Sequence, residues 1–158
     1  MNFQRLLPDS SLPILVTTNS TCSKSLDSLV NWAADNHDLI DQYLYDAGVL
    51  LIRGFDVLSA TDFKLASAAI SSNLRNYTGG DAPRFGVIDK VYTSTEYPKQ
   101  FEVMLHNELS YAGWSPDRVF FCCLVTSKSG GETQIADGRR IYNSLDPEVR
   151  DRFENNGI

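Results

Sequence analysis

Between Arg118 and Thr126 the chain runs Val-Phe-Phe-Cys-Cys-Leu-Val, seven apolar residues in succession with no charge. Side chains alternate between faces along a β-strand, so such a run needs apolar neighbours on both sides. An interior strand of a two-sheet barrel meets that demand. Just upstream, Phe101, Val103 and Leu105 alternate with Glu102, Met104 and His106, the period-two pattern of a strand with one covered face. Gly130-Gly131 predicts a tight turn after the long run, with residues 132–136 pairing back. The second half of the chain therefore reads as mainly β.

The first half reads differently. Residues 12–16 predict a short strand, and Gly48 to Gly54 bound a second, buried one. Leu26, Leu29, Val30 and Ala33 recur at helical spacing over 25–34, and a second helix is expected over 39–46. Thr61 is placed to cap a helix through Leu74, and 77–83 form a loop. Near the end, Asp137 predicts the start of a helix over 139–145, and Asp146-Pro147 opens another with proline in its first turn. The fold class expected is α+β. A length of 158 residues suits one domain, 1–158.

Composition narrows the function. A net charge of −6 with no Lys/Arg cluster excludes a nucleic-acid groove and an anionic membrane surface. No apolar run has the length of a membrane span, and residues 1–8 lack the apolar stretch of a secretion signal. The three cysteines, Cys22, Cys122 and Cys123, leave an odd thiol, and adjacent cysteines on a strand face opposite ways. The cytoplasm is the compartment expected.

His106-Asn107-Glu108 carries the chemistry. Residues two apart on a strand share a face and lie about 6–7 Å apart along the backbone. An imidazole and a carboxylate so placed can share one metal ion, forming two-thirds of the facial triad that holds non-haem Fe(II). A strand-edge pair on solvent is the alternative when the motif stands alone.

It does not stand alone. The chain carries Val91-Tyr-Thr-Ser-Thr-Glu-Tyr-Pro98, then Leu105-His-Asn-Glu-Leu-Ser-Tyr111, then Ser129-Gly-Gly-Glu-Thr-Gln-Ile-Ala-Asp137. In that order these blocks resemble the TauD/TfdA-type Fe(II)/2-oxoglutarate dioxygenases, most of all clavaminate synthase-like and SyrP-like members of secondary metabolism. The resemblance covers about residues 48–158. It implies a double-stranded β-helix (jelly-roll) core with flanking helices. It implies His106 and Glu108 as metal ligands for Fe(II), with 2-oxoglutarate as co-substrate, O₂, and a small, amino-acid-derived substrate. Thr133, 27 residues beyond His106 (133 − 106), matches the threonine that hydrogen-bonds 2-oxoglutarate. Glu102 matches a polar position that touches substrate, though an exposed ion pair is equally open to it. Tyr97 and Tyr111 are pocket-lining candidates, with packing as the alternative. The Glu108 carboxylate sets the chain apart from the related halogenases, which carry a small residue there.

Members of the family also carry a distal histidine and an arginine for the far carboxylate of 2-oxoglutarate. Residues 109–158 contain no histidine. The expectation is thus the N-terminal part of an oxygenase, with the C-terminal part of the fold missing. Such a chain would be inactive in isolation and would self-associate or join a C-terminal partner chain. The alternative is a truncated, catalytically inactive remnant acting as a binding or structural partner. His37 is expected in a solvated turn, and Arg84, Arg139 and Arg140 as surface charges.

Overall fold

The computed structural model describes residues 1–78, 84–94, 98 and 100–157. Its first seventy residues build a packed layer of helices on a small sheet. Strand β1 (Asn2–Arg5) pairs antiparallel with β2 (Ile14–Thr17), and β2 pairs parallel with β3 (Leu50–Arg53). A parallel neighbour requires a crossover, supplied here by α1 (Leu26–Asp35) and α2 (His37–Ala47). Register sets Val16 beside Ile52 and Phe3. Val16 is fully buried with Ile14 and Ala47, and Met1, Phe3, Trp32, Tyr43, Leu50 and Ile52 close around them. The Phe3 and Tyr43 rings stack with centroids 4.5 Å apart.

Local signals set the helix ends. The Ser25 hydroxyl accepts from the Ser28 N–H at the start of α1, and Gly48 ends α2 with φ +78°, its N–H donating to Leu44 O. Helix α2 begins at His37, two residues before the expected start, so His37 sits in the first turn of a helix. Helix α3 (Ala60–Ile70) packs on α1, and its buried residues are Ala66 and Ser67. Its cap is Ser59, not Thr61: the Ser59 hydroxyl accepts from Asp62 N–H, and the Asp62 carboxylate reaches back to Leu58 N–H. It also stops at Ile70, four residues short of Leu74. Ser71, Ser72 and Asn73 favour local side-chain bonds over helix propagation.

A hairpin of β4 (Gly86–Ile88) and β5 (Val91–Tyr92) follows, and near the end come α4 (Gly138–Ser144) and α5 (Pro147–Asn156), capped by Asp137 and Asp146 as their sequences predict. Between hairpin and α4 the expectation fails. Residues 101–105, 118–125 and 132–136 form no strand, and every residue from 121 to 136 is exposed. A strand exists only through the ladder a neighbour provides. Among the described residues no strand pairs with these segments. What the chain shows is a mix of helices with one three-stranded and one two-stranded sheet.

Candidate metal site

Three segments meet around Glu108. The first is its own turn: Ala112 N–H donates to Leu109 O, and Leu109 takes φ +55° while being buried to 3% exposure. Leucine seldom adopts that backbone shape, and burial of its side chain offsets the cost. Glu108 is thereby turned inward, with its side chain 18% exposed. The second is His106, two residues earlier. Its Nδ1 lies 2.7 Å from Met104 O, a carbonyl that can only accept, so Nδ1–H donates and Nε2 is the ring nitrogen left to face Glu108. That Nε2 lies 3.9 Å from a Glu108 carboxylate oxygen. The expected pairing of the two side chains therefore occurs, though on a segment without strand structure and with His106 itself 56% exposed.

The third segment is the hairpin, and it delivers a residue the sequence reading passed over. Arg84, expected at the surface, has a side chain only 14% exposed, with Nη2 3.2 and 3.3 Å from the two oxygens of Glu108. Phe85 and Thr93 tie the hairpin's base by two hydrogen bonds, 2.9 and 3.0 Å long. The Arg84 guanidinium lies over the Tyr77 ring at 4.4 Å, and that ring tilts against Tyr92 at 6.0 Å. Nothing in the local sequence marks Arg84, because 24 residues separate it from Glu108 (108 − 84).

Two of the other expected site residues are not gathered here. Thr133 and Glu102 are exposed, and among the described residues no hydrogen bond or ion pair joins either to His106 or Glu108. Tyr111 is 63% exposed in the turn after Glu108. Tyr97 lies outside the described residues. Trp114, also beyond the turn, takes the Arg75 guanidinium over its ring at 5.9 Å. Asp137 is occupied as a helix cap and pairs with Arg139, whose guanidinium also donates to the Tyr45 and Asp46 carbonyls at the end of α2. Arg139 is thus a clasp between two helices, not a free surface charge.

Can the pair at the centre hold a metal? Two donors each about 2.1 Å from one ion are at most about 4.2 Å apart. The 3.9 Å gap is too long for a direct hydrogen bond and lies inside that span, and closing by about 1 Å would bring the two donors to the roughly 3.0 Å that separates neighbouring ligands of a facial set. An imidazole nitrogen and a carboxylate oxygen are also the donor types that Fe(II) accepts. The pair fits as two ligands. Among the described residues no group of three or more His, Cys, Asp or Glu side chains is placed to hold an ion.

Sequence comparison settles the kinship. The model of the taurine catabolism dioxygenase TauD, TfdA family matches residues 11–156. The chain belongs to the TauD/TfdA family. It is 33% identical over 155 residues to a clavaminate synthase-like protein of Arabidopsis thaliana, covering 96% of this chain. It is 30% identical over 145 residues, 92% of this chain, to the dapdiamide synthesis protein DdaC of Enterobacter agglomerans. The chain spans 43% of the length of each relative. TauD/TfdA proteins are oxygenases, typically dependent on Fe(II) and 2-oxoglutarate. Among the described residues no helix is long and apolar enough to cross a membrane.

Proposed function

We propose that this chain, as one domain, forms the N-terminal part of an Fe(II)- and 2-oxoglutarate-dependent oxygenase. The reaction would be hydroxylation of a small, amino-acid-derived metabolite in the cytoplasm, on a double-stranded β-helix completed by further strands. The observation that carries the reading is the His106–Glu108 pair: an imidazole Nε2 and a carboxylate oxygen 3.9 Å apart in a TauD/TfdA chain.

Bound there, Fe(II) with 2-oxoglutarate would supply the electrons that activate O₂ for oxidation of the substrate. The chain's own residues do the positioning. Met104 O fixes the His106 tautomer, Leu109 fixes the turn, and Arg84 holds the Glu108 carboxylate. Thr133 is assigned a hydrogen bond to 2-oxoglutarate, and Glu102, Tyr97 and Tyr111 are assigned to the substrate side. With two protein donors the isolated chain binds metal weakly and does not turn over. A second reading, a catalytically inactive chain serving as a binding or structural partner, draws support from the exposed apolar residues between 101 and 153.

One assay separates them: succinate formed from 2-oxoglutarate with Fe(II), ascorbate and O₂. The isolated chain should give none above background. The chain extended by the C-terminal part of a family member should give turnover that His106→Ala and Glu108→Ala abolish. Thr133→Ala should raise the 2-oxoglutarate requirement about two- to tenfold, the size of one neutral hydrogen bond. An extended protein that binds Fe(II) yet forms no succinate would favour the inactive partner. Turnover by the isolated chain at about 1 per second or faster would contradict the need for completion.

A further inference from the structure

The Arg84–Glu108 contact has a geometry that bears on metal binding, given the ligand assignment above, on which this inference rests. A single nitrogen, Nη2, spans both carboxylate oxygens at 3.2 and 3.3 Å. Strong charge-assisted bonds are shorter, about 2.7–2.9 Å, and an arginine fork normally meets a carboxylate with two nitrogens. Here Nε is shielded and has no hydrogen-bond partner among the described residues. The guanidinium is held instead by its face, on Tyr77. An arginine so held neutralises a largely covered carboxylate yet can give up one oxygen without leaving its seat.

We propose that Arg84 is the resident counter-ion of Glu108 in the metal-free chain, and that a divalent cation binding with His106 takes one carboxylate oxygen from it. Arg84 then keeps the other oxygen. Two consequences follow. Glu108 is restricted to one-oxygen ligation, because Arg84 holds the second oxygen. Metal affinity is also held down, because the incoming cation meets a positive charge already on its ligand. Arg84 is a positioning residue that sets the affinity of the site.

The sign of its effect distinguishes this role from a structural one. Removing a residue that merely braces Glu108 would weaken metal binding, whereas removing a competing cation strengthens it. The test is titration of the chain with Co(II) alone, followed by the His106 ring resonances. Arg84→Met should bind Co(II) at least about tenfold more tightly than the parent, the size of one unit charge several ångströms from a divalent ion even when well screened. Arg84→Lys keeps the charge and should stay near the parent. Arg84→Met combined with Glu108→Gln should lose the gain.

A measurement on the unaltered chain guards against a variant that fails to fold. The Arg84 guanidinium resonances should shift as Co(II) saturates His106. Equal or weaker binding by a folded Arg84→Met, or unmoved Arg84 resonances at saturation, would overturn the proposal. Loss of binding in His106→Ala without a gain in Arg84→Met would overturn the role of Arg84 and leave the metal reading standing. Unchanged binding in His106→Ala, or no saturable binding in parent and Arg84→Met alike, would overturn both.

Discussion

Residues 1–70 and residues 101–157 are both rich in large apolar side chains, yet the two regions treat them oppositely. In the first, Leu12, Ile14, Val16, Leu29, Ala33, Ile40, Ala47 and Ala66 are buried. In the second, Leu109 is the only buried apolar residue among those described, while Phe101, Met104, Phe121, Val125 and Phe153 are all more than half exposed. Hydrophobicity does not separate them. The difference is that β1, β2 and β3 find one another between Asn2 and Arg53 and close under α1 and α2, whereas the later apolar segments have no ladder partner among the described residues. An apolar segment prescribes burial, but which structure it adopts depends on what is there to bury it.

Stability measurements should expose that asymmetry first. Ile40, among the largest fully buried side chains, is 1% exposed, and Ile40→Ala should cost about 2–5 kcal/mol in urea melts. Phe121, 63% exposed, should tolerate alanine within about 0.5 kcal/mol. A cost for Phe121→Ala comparable to that of Ile40→Ala would show that the second region is packed, and the contrast would collapse.

The exposed run should make the chain associate. Val119–Val125 combines high β-propensity with no charge, and Phe121→Glu with Val125→Lys should lower light scattering at equal concentration. Equal scattering by parent and variant, with the parent monomeric, would mean that this face is not sticky.

A smaller effect separates the two serine/threonine candidates for the α3 cap. Ser59→Ala should destabilise by about 1 kcal/mol, because the Asp62 N–H loses its acceptor. Thr61→Ala should be nearly silent. The reverse order would restore the cap the sequence suggested.

The smallest effect concerns the Asp137–Arg139 clasp, one of the links between the regions beside the Arg118–Asp41 ion pair. Burial pushes the Asp137 carboxyl up, but the Arg139 N–H and guanidinium and the Arg140 N–H together hold it below its ordinary value of 3.8. Because the folded value is depressed, the clasp contributes stability above pH 3.8 and loses it as pH falls through the lower folded value. Protection of the α4 amides, relative to their intrinsic exchange at each pH, should fall over that acid window, and Arg139→Ala should remove the dependence. Protection that is flat over this window would deny the clasp any role.

These regions also differ in how much could be read from sequence. Helices α1, α2, α4 and α5 were legible because their caps and periodicity are local. Strands β2 and β3 were legible as short apolar runs. Strand β1 was not, since Asn2-Phe-Gln-Arg5 becomes a strand only by pairing with β2. The segments over 101–136 misled for the same reason in reverse: the pattern was that of strands, but the partner that makes a strand is tertiary. At the site, His106 and Glu108 were visible through their spacing of two. Arg84 was invisible because a hairpin carries it across 24 residues to Glu108 (108 − 84).

The central claim is that His106, with Glu108, is a metal ligand, and the chain offers an internal control. It contains two histidines, His37 and His106. The most direct measurement is NMR of the two imidazole rings during Co(II) titration of the unaltered chain, which registers even weak binding. The His106 ring should shift and broaden in a saturable manner that Glu108→Gln suppresses, while His37, exposed at the start of α2, stays unmoved. A His106 ring that does not respond, or that responds no more than His37, would contradict the account.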